Sequence, residues 1–176
     1  MGLISFVKNA GAKLFGRKKK VEAPKQTAVT SQKTAEELEA EHNAQKAVEL
    51  ENLVRGLGLD VSDLYIEVND DVATVHGSTS SQAEKEKVVL AIGNVTGIAS
   101  VHDNLSVERG EEAETTSHEI PANYHTVVKG DTLSKIAKHY YGNAMKYPML
   151  FEANKPMLKD PNLIYPGQVL RIPTLA

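Results

Sequence analysis

The sequence predicts an α+β protein of two small domains, with a short helix at its N-terminus within residues 1–16. Apolar residues switch between helical and alternating spacing within residues 34–108, giving the order α-β-β-α-β, and within residues 123–176, giving β-α-α-β. Polar stretches without periodicity separate these regions at residues 17–33 and 109–122, and we interpret both as linkers. A chain of 176 residues has room for this arrangement.

Composition excludes several classes of protein. The chain has no cysteine, which excludes disulfides, thiolate catalysis and cysteine-bound zinc. Its net charge of −3 argues against a general nucleic-acid binder. No apolar run approaches the ~20 residues that a membrane span requires. We expect a monomer with no nucleic-acid partner and no transmembrane segment.

The order of charges near the N-terminus indicates the compartment. A signal peptide places its positive charges before an apolar run, whereas here Lys8 and Lys13 interrupt the apolar residues and the basic residues 17–20 follow them. The start also fails the myristoylation pattern, because Phe6 stands where Ser or Thr is required. These features predict a cytoplasmic protein.

Residues 2–15 have the spacing of a short amphipathic helix. The apolar positions that recur at three- and four-residue steps are Leu3, Phe6, Val7, Ala10 and Leu14. A helix this short is marginal in water, so it needs a surface to pack on. It could dock on the following domain or lie on a membrane with its lysines in the headgroups; we favour docking, because Gly11 and the alanines give a weak membrane face.

Two capping-box patterns start the helices of the first domain, Thr34 with Glu37 and Ser81 with Glu84. The predicted elements are a helix at 34–57, strands at 63–69 and 72–79, a helix at 81–92 and a strand at 100–108. Asp70-Asp71, between the two strands, could be metal ligands, but adjacent aspartates at this place favour a turn.

Residues 93–100 carry the chain from the second helix to the last strand of this domain. Gly93 and Gly97 relax the steric limits on φ, so carbonyls here can point where an ordinary turn would not aim them. No residue in the stretch can ionise, so a ligand bound here would be bound by backbone oxygens. A helix C-cap at Gly93 and a tight turn at Gly97 would explain the same residues without a ligand.

The second domain has its own element signals. Residues 124–128 form a predicted strand, and a turn at residues 129–133 leads into a helix that ends at Gly142-Asn143. Pro148 stands near the start of a second helix that reaches about residue 154. A last strand is predicted at residues 169–172.

Both regions resemble known domains. The element order and the corner GNVTGIASV make residues 36–108 similar to a BON domain. The runs YHTVVKGDTLSKIAKHYYG, FEANKP and IYPGQVLRIP resemble a LysM domain over residues 124–173.

LysM domains bind glycans that contain N-acetylglucosamine, which implies a groove between the turn Gly130-Asp131-Thr132 and residues 162–164. A bacterial LysM protein acting on peptidoglycan must be exported, however, and the expected cytoplasmic location conflicts with that role. Helix capping would also explain Asp131 and Thr132 without a glycan.

One BON and one LysM domain after the start GLISFVKNAG resemble a family of bacterial cytoplasmic potassium-binding proteins. The resemblance implies that K⁺ is held by main-chain carbonyls, here those of Val7, Lys8, Ala10, Gly93, Val95 and Ile98. Potassium is large and weakly hydrated, so neutral carbonyl dipoles can replace its water shell. A cage of carboxylates would instead favour small divalent cations.

Motifs for catalysis do not occur in the sequence. The six histidines are scattered without an HExxH motif, and there is no glycine-rich phosphate loop or GxSxG motif. We therefore expect a non-enzyme, a potassium sensor or buffer in which ion binding changes how the BON and LysM domains pack. Two alternatives are a glycan-binding module and a peripheral membrane adaptor that uses residues 2–20.

Overall fold

A computed structural model describes residues 2–6, 34–108 and 123–174. The described residues form these elements in chain order: β1 Gly2–Ser5, α1 Ala35–Gly56, β2 Ser62–Asn69, β3 Val72–Thr79, α2 Gln82–Gly93, β4 Ser100–Val107, β5 Asn123–Thr126, α3 Leu133–Tyr141, a 3₁₀ turn Ala144–Lys146, α4 Tyr147–Ala153 and β6 Val169–Ile172. The α+β fold class is confirmed, and the elements of both regions follow the predicted order. No helix within the described ranges combines the length and apolar character that a membrane crossing needs.

The first residues differ from the prediction, because Gly2–Ser5 form a strand and not a helix. This strand, β1, pairs antiparallel with β4, with Leu3 opposite His102. The open edge of β4 offers backbone hydrogen bonds to a segment whose helix would be marginal alone, and pairing therefore prevails. The helix prediction is wrong for these residues, and residues 7–15 of that predicted helix lie outside the described residues, as does the linker at 17–33.

The first unit is a four-stranded sheet with the order β1-β4-β3-β2, in which only the β3–β4 pair is parallel. Helix α2 makes the crossover that two parallel strands need. The apolar residues whose spacing predicted these helices and strands form the core, whose fully buried members include Leu50, Val54, Ile66, Val75, Val88, Val89, Ile92 and Val101.

The helix starts follow the capping patterns to different extents. At Thr34 both halves of the box form, with the hydroxyl accepting from the Glu37 N–H at 3.3 Å and the Glu37 carboxylate accepting from the Thr34 N–H at 2.9 Å. At Ser81 the hydroxyl accepts from the Glu84 N–H at 3.2 Å. The Glu84 carboxylate accepts instead from the Ser80 hydroxyl at 2.7 Å, so the second box is only half formed.

Asp70 and Asp71 form the β2–β3 turn through their backbone groups. Asp70 has a φ of 54°, and its carbonyl accepts a hydrogen bond from the buried Lys46 Nζ at 2.6 Å. The Asp71 carbonyl accepts from the Ala99 N–H at 2.7 Å. A turn therefore accounts for Asp70 and Asp71. The bond from Ala99 also fixes the residue just before β4 against this turn.

The second unit pairs β5 with β6 in a two-stranded antiparallel sheet, covered by α3 and α4. Its core is made of Val127, Leu133, Ile136, Ala137, Leu150, Leu158, Leu170 and Ile172. Helix α3 starts at Thr132, whose hydroxyl accepts from the Lys135 N–H at 3.2 Å, and is capped by Gly142 as predicted.

Candidate metal centre at the corner between α2 and β4

The corner of residues 93–99 is the part of the predicted site that the structure describes. Helix α2 ends at Gly93, and the Asn94 N–H still donates to the Leu90 carbonyl at 3.0 Å. Gly97 has a φ of 103°, so the predicted tight turn occurs. The C-cap of the helix is Asn94 and not Gly93 as predicted, because Gly93 still belongs to the helix. Val95 and Ile98 are buried, at 2% and 0% exposure, and their side chains anchor the corner in the core.

The backbone oxygens of the corner are only partly used by hydrogen bonds. Backbone N–H groups of the described residues donate to the carbonyls of Ile92, Val95 and Ala99, and the Tyr165 hydroxyl lies 3.5 Å from the Asn94 carbonyl. No backbone N–H of the described residues donates to the carbonyl of Gly93 or Ile98. Carbonyl oxygens without a donor can instead coordinate a cation. Two of the three predicted ligands in the corner, the Gly93 and Ile98 carbonyls, are therefore available to an ion as far as these backbone bonds are concerned.

Phe6 brings the N-terminal segment to this corner. Its N–H donates to the Ala99 carbonyl at 2.7 Å, and a Cβ built on Gly93 would lie 2.0 Å from the Phe6 Cζ atom. The ring thus packs directly against the glycine. The other predicted ligands, Val7, Lys8 and Ala10, lie outside the described residues.

Asn94 connects the corner to the second unit, a role that sequence reasoning missed. Its Nδ2 donates to the Val169 carbonyl at 2.9 Å, and its Oδ1 accepts from the Val169 N–H at 2.8 Å. The same Nδ2 lies 2.9 Å from the Leu90 carbonyl and 3.2 Å from the Met157 Sδ. The side chain is 5% exposed. A buried, fully bonded amide of this kind fixes the position of the groups that it joins.

Asn154 makes the same pattern of bonds inside the second unit. It follows the last residue of α4, and its Nδ2 donates to the Leu150 carbonyl at 2.7 Å and to the Arg171 carbonyl at 2.9 Å. Its Oδ1 accepts from the Arg171 N–H at 2.7 Å. Strand β6 pairs with β5 along one edge, so two asparagine amides occupy alternate residues of its other edge.

A buried ion pair forms a second contact between the units. The Arg171 Nε donates to a carboxylate oxygen of Glu86, and the two side chains are 14% and 4% exposed. The Gln82 Nε2 donates to the other Glu86 oxygen at 2.9 Å. Burial raises the pKa of the neighbouring Tyr124 hydroxyl, and the Glu86 charge adds to that effect. The interface therefore combines a neutral amide contact with a charged one.

The residues implied for a glycan groove have structural partners. The Asp131 carboxylate accepts from the Val128 N–H at 3.0 Å and contacts the His125 Nε2 at 2.9 Å. Hydrogen bonding to the Val128 N–H, followed by that to His125, lowers the pKa of Asp131. Helix capping therefore accounts for Thr132 and local bonding for Asp131. Val128 and Leu163, beside the two loops, are exposed at 59% and 69%.

Comparison with known families identifies both units. Residues 43–109 match the family model of the BON domain, and residues 125–173 match that of the LysM domain. Both predicted resemblances are thus confirmed.

Similar proteins differ in how much of this chain they share. The potassium binding protein Kbp of Escherichia coli O6:H1 is 41% identical over 174 residues, which cover 98% of this chain and 99% of that protein. An uncharacterized protein of Deinococcus radiodurans is 32% identical over 147 residues, covering 81% of this chain and 57% of its own length. An esterase of Mycobacterium tuberculosis shares 48 residues at 48% identity, covering 27% of this chain and 10% of the esterase.

Proposed function

Since the chain belongs to the family of the Escherichia coli potassium binding protein Kbp, we propose that it binds potassium ions. The observation that carries this proposal is the 41% identity to that protein, because it extends over 98% of this chain and includes both domains. The role is binding and not catalysis: the esterase similarity is confined to 10% of the esterase.

The ion would lie against the corner between α2 and β4, held by main-chain carbonyls. Its ligands in this proposal are the carbonyl oxygens of Val7, Lys8, Ala10, Gly93, Val95 and Ile98. Among the described residues no backbone N–H donates to the Gly93 or Ile98 carbonyl, which supports this choice. The bond from the Phe6 N–H to the Ala99 carbonyl and the packing of Phe6 on Gly93 support it too, because they bring the N-terminal segment to the corner. Neutral dipoles around a large monovalent ion suit potassium better than divalent cations.

We further propose that the protein works in the cytoplasm as a potassium sensor or buffer, with domain packing that depends on the ion. The contact of Asn94 with Val169 supports this link, because Asn94 lies between two proposed ligands and its N–H belongs to the same peptide group as the Gly93 carbonyl. A ligand shifts a conformational equilibrium only through its different affinity for the two states. Here the ion would favour the state in which the corner is fixed.

Amide NMR of the purified protein tests the proposal, with KCl and NaCl titrated at constant ionic strength. We expect saturable shifts at residues 93–100 with KCl and none with NaCl. Equal, non-saturating changes with both salts would mean screening alone and would remove the potassium site.

A second candidate function, glycan binding by the LysM domain, has one favourable observation. The exposed apolar side chains of Val128 and Leu163 lie on the two loops that would border a groove. Titration with N-acetylglucosamine oligomers would shift their amides if glycan binding occurs. The membrane alternative predicts binding to anionic vesicles that is lost when residues 17–20 are neutralised.

A further inference from the structure

Asn94 lies between two proposed ligands and shares a peptide plane with one of them. The Gly93 carbonyl and the Asn94 N–H belong to the same planar unit, so the direction of that carbonyl follows the placement of Asn94. The N–H donates to the Leu90 carbonyl at 3.0 Å, which fixes the backbone on its helix side. The contacts that hold Asn94 on its other side therefore also influence the direction of the Gly93 carbonyl.

The second domain holds Asn94 on that other side through Val169 of strand β6. Val169 is 3% exposed, and both of its backbone groups bond to the Asn94 amide. Removing the amide would leave a buried N–H and a buried C=O without these partners, which opposes any separate movement of Asn94 and β6. The partners lie 75 residues apart in the sequence, so the contact connects the two domains directly.

The ion pair aligns α2 along β6. Glu86 lies eight residues before Asn94 on the helix, about 12 Å along its axis. Arg171 lies two residues beyond Val169 on the strand, roughly 7 Å along it. Two contacts at separate points of α2 therefore restrict both the position and the direction of the helix end that carries the corner.

We infer that Asn94 is a positioning residue of the cation site and that strand β6 of the LysM domain is the surface that holds it in place. This inference rests on the proposed potassium function and states which part of the structure makes the site selective for K⁺ over Na⁺. With β6 in place, the Gly93 and Val95 carbonyls keep the spacing that suits potassium. Without it, the corner adapts to smaller ions and selectivity falls.

The test measures the dissociation constants for K⁺ and Na⁺ of the full chain and of variants, using KCl and NaCl. Asn94→Ala removes the hydrogen bonds between the corner and Val169. Arg171→Gln breaks the ion pair with Glu86 and so weakens the domain contact from the second domain, without changing a residue of the corner. Arg171→Lys is the conservative variant that should recover part of the effect. Lys155→Gln is the matched control, because Lys155 is an exposed cation of the same domain whose Nζ pairs with Glu152 and lies over the Phe151 ring, both within four residues of it in the sequence.

We expect both Asn94→Ala and Arg171→Gln to weaken K⁺ binding about tenfold and to lower the ratio of K⁺ to Na⁺ affinity, with Lys155→Gln unchanged. Circular dichroism checks folding in each case. Wild-type affinity in both variants would overturn the inference, and so would weaker binding with an unchanged ion ratio, which indicates a structural role only. A wild-type protein without saturable K⁺ binding would instead remove the proposed function itself.

Discussion

Asn94 and Val169 exchange two hydrogen bonds, one of 2.9 Å from the Asn94 Nδ2 to the Val169 carbonyl and one of 2.8 Å from the Val169 N–H to the Asn94 Oδ1. A side-chain amide here takes the place of a neighbouring strand. It joins the end of α2 in the BON domain to β6 in the LysM domain. The proposed cation site and the domain interface therefore share one residue.

Replacing Gly93 with alanine should disturb the corner. The new Cβ would lie 2.0 Å from the Phe6 Cζ atom, so the ring must move off the corner. We expect a destabilisation of about 1–3 kcal/mol and weaker K⁺ binding, measured by urea unfolding and by KCl titration. Gly56→Ala is the matched control, since nothing lies within 4 Å of its added Cβ and alanine favours a helix. Equal effects of both substitutions would contradict the packing of Phe6 on Gly93.

Replacing one partner of the Glu86–Arg171 pair should destabilise the protein more than replacing both partners. Arg171→Met leaves a carboxylate buried at 4% exposure without its cation, which typically costs about 3–5 kcal/mol. The double variant Glu86→Leu with Arg171→Met removes both charges and should recover most of that loss. Urea unfolding of the two singles and the double gives the coupling energy. A double variant as unstable as the sum of the singles would show that the pair is not coupled.

Asn154→Ala should lower stability equally with and without KCl. Asn154 is 2% exposed and bonds to both backbone groups of Arg171, so its loss leaves buried groups unpaired at a cost of about 1–3 kcal/mol. These bonds stay within the LysM domain. Asn94→Ala should have a similar cost in both salts and a further loss of stability in KCl, because the ion then no longer favours the joined domains. Unfolding curves in KCl and NaCl distinguish the two asparagines.

Stability should depend on Asp131 at acid pH. Its pKa is lowered in the folded protein, chiefly by the Val128 N–H and then by His125, from an ordinary value of 3.8. The ionised carboxylate therefore contributes stability above about pH 4, and this contribution is lost as the pH falls through the lower folded pKa. Asp131→Asn should flatten the stability profile between pH 2 and pH 5, measured by chemical unfolding. The exposed Glu49→Gln is the control and should keep the wild-type profile.

Local patterns in the sequence predicted much of the fold. The capping pair Thr34–Glu37 and the stripe containing Leu50 and Val54 involve residues within one or two helical turns, so their spacing alone indicates them. The strand at Gly2–Ser5 was not predicted, because its partner β4 lies some hundred residues later and decides the outcome by pairing. Local helical spacing could not reveal that partner.

The candidate site divides in the same way. Gly93 and Gly97 mark the corner in the sequence, since glycine pairs at the end of a helical pattern indicate unusual backbone directions. The sequence also shows Asn94 directly after the predicted helix, where asparagine is a common cap. Its bonds to Val169 depend on how two domains meet, which no spacing within either domain encodes.

The paired asparagines have a consequence for self-association. Strand β6 has the short apolar sequence Val-Leu-Arg-Ile, and its outer edge is closed by Asn154 from within the domain and by Asn94 from outside it. When the domains separate, the Val169 backbone groups become an open edge that another chain can extend. We therefore expect the separated form to oligomerise at high concentration, and we expect the domain contact to oppose this self-association.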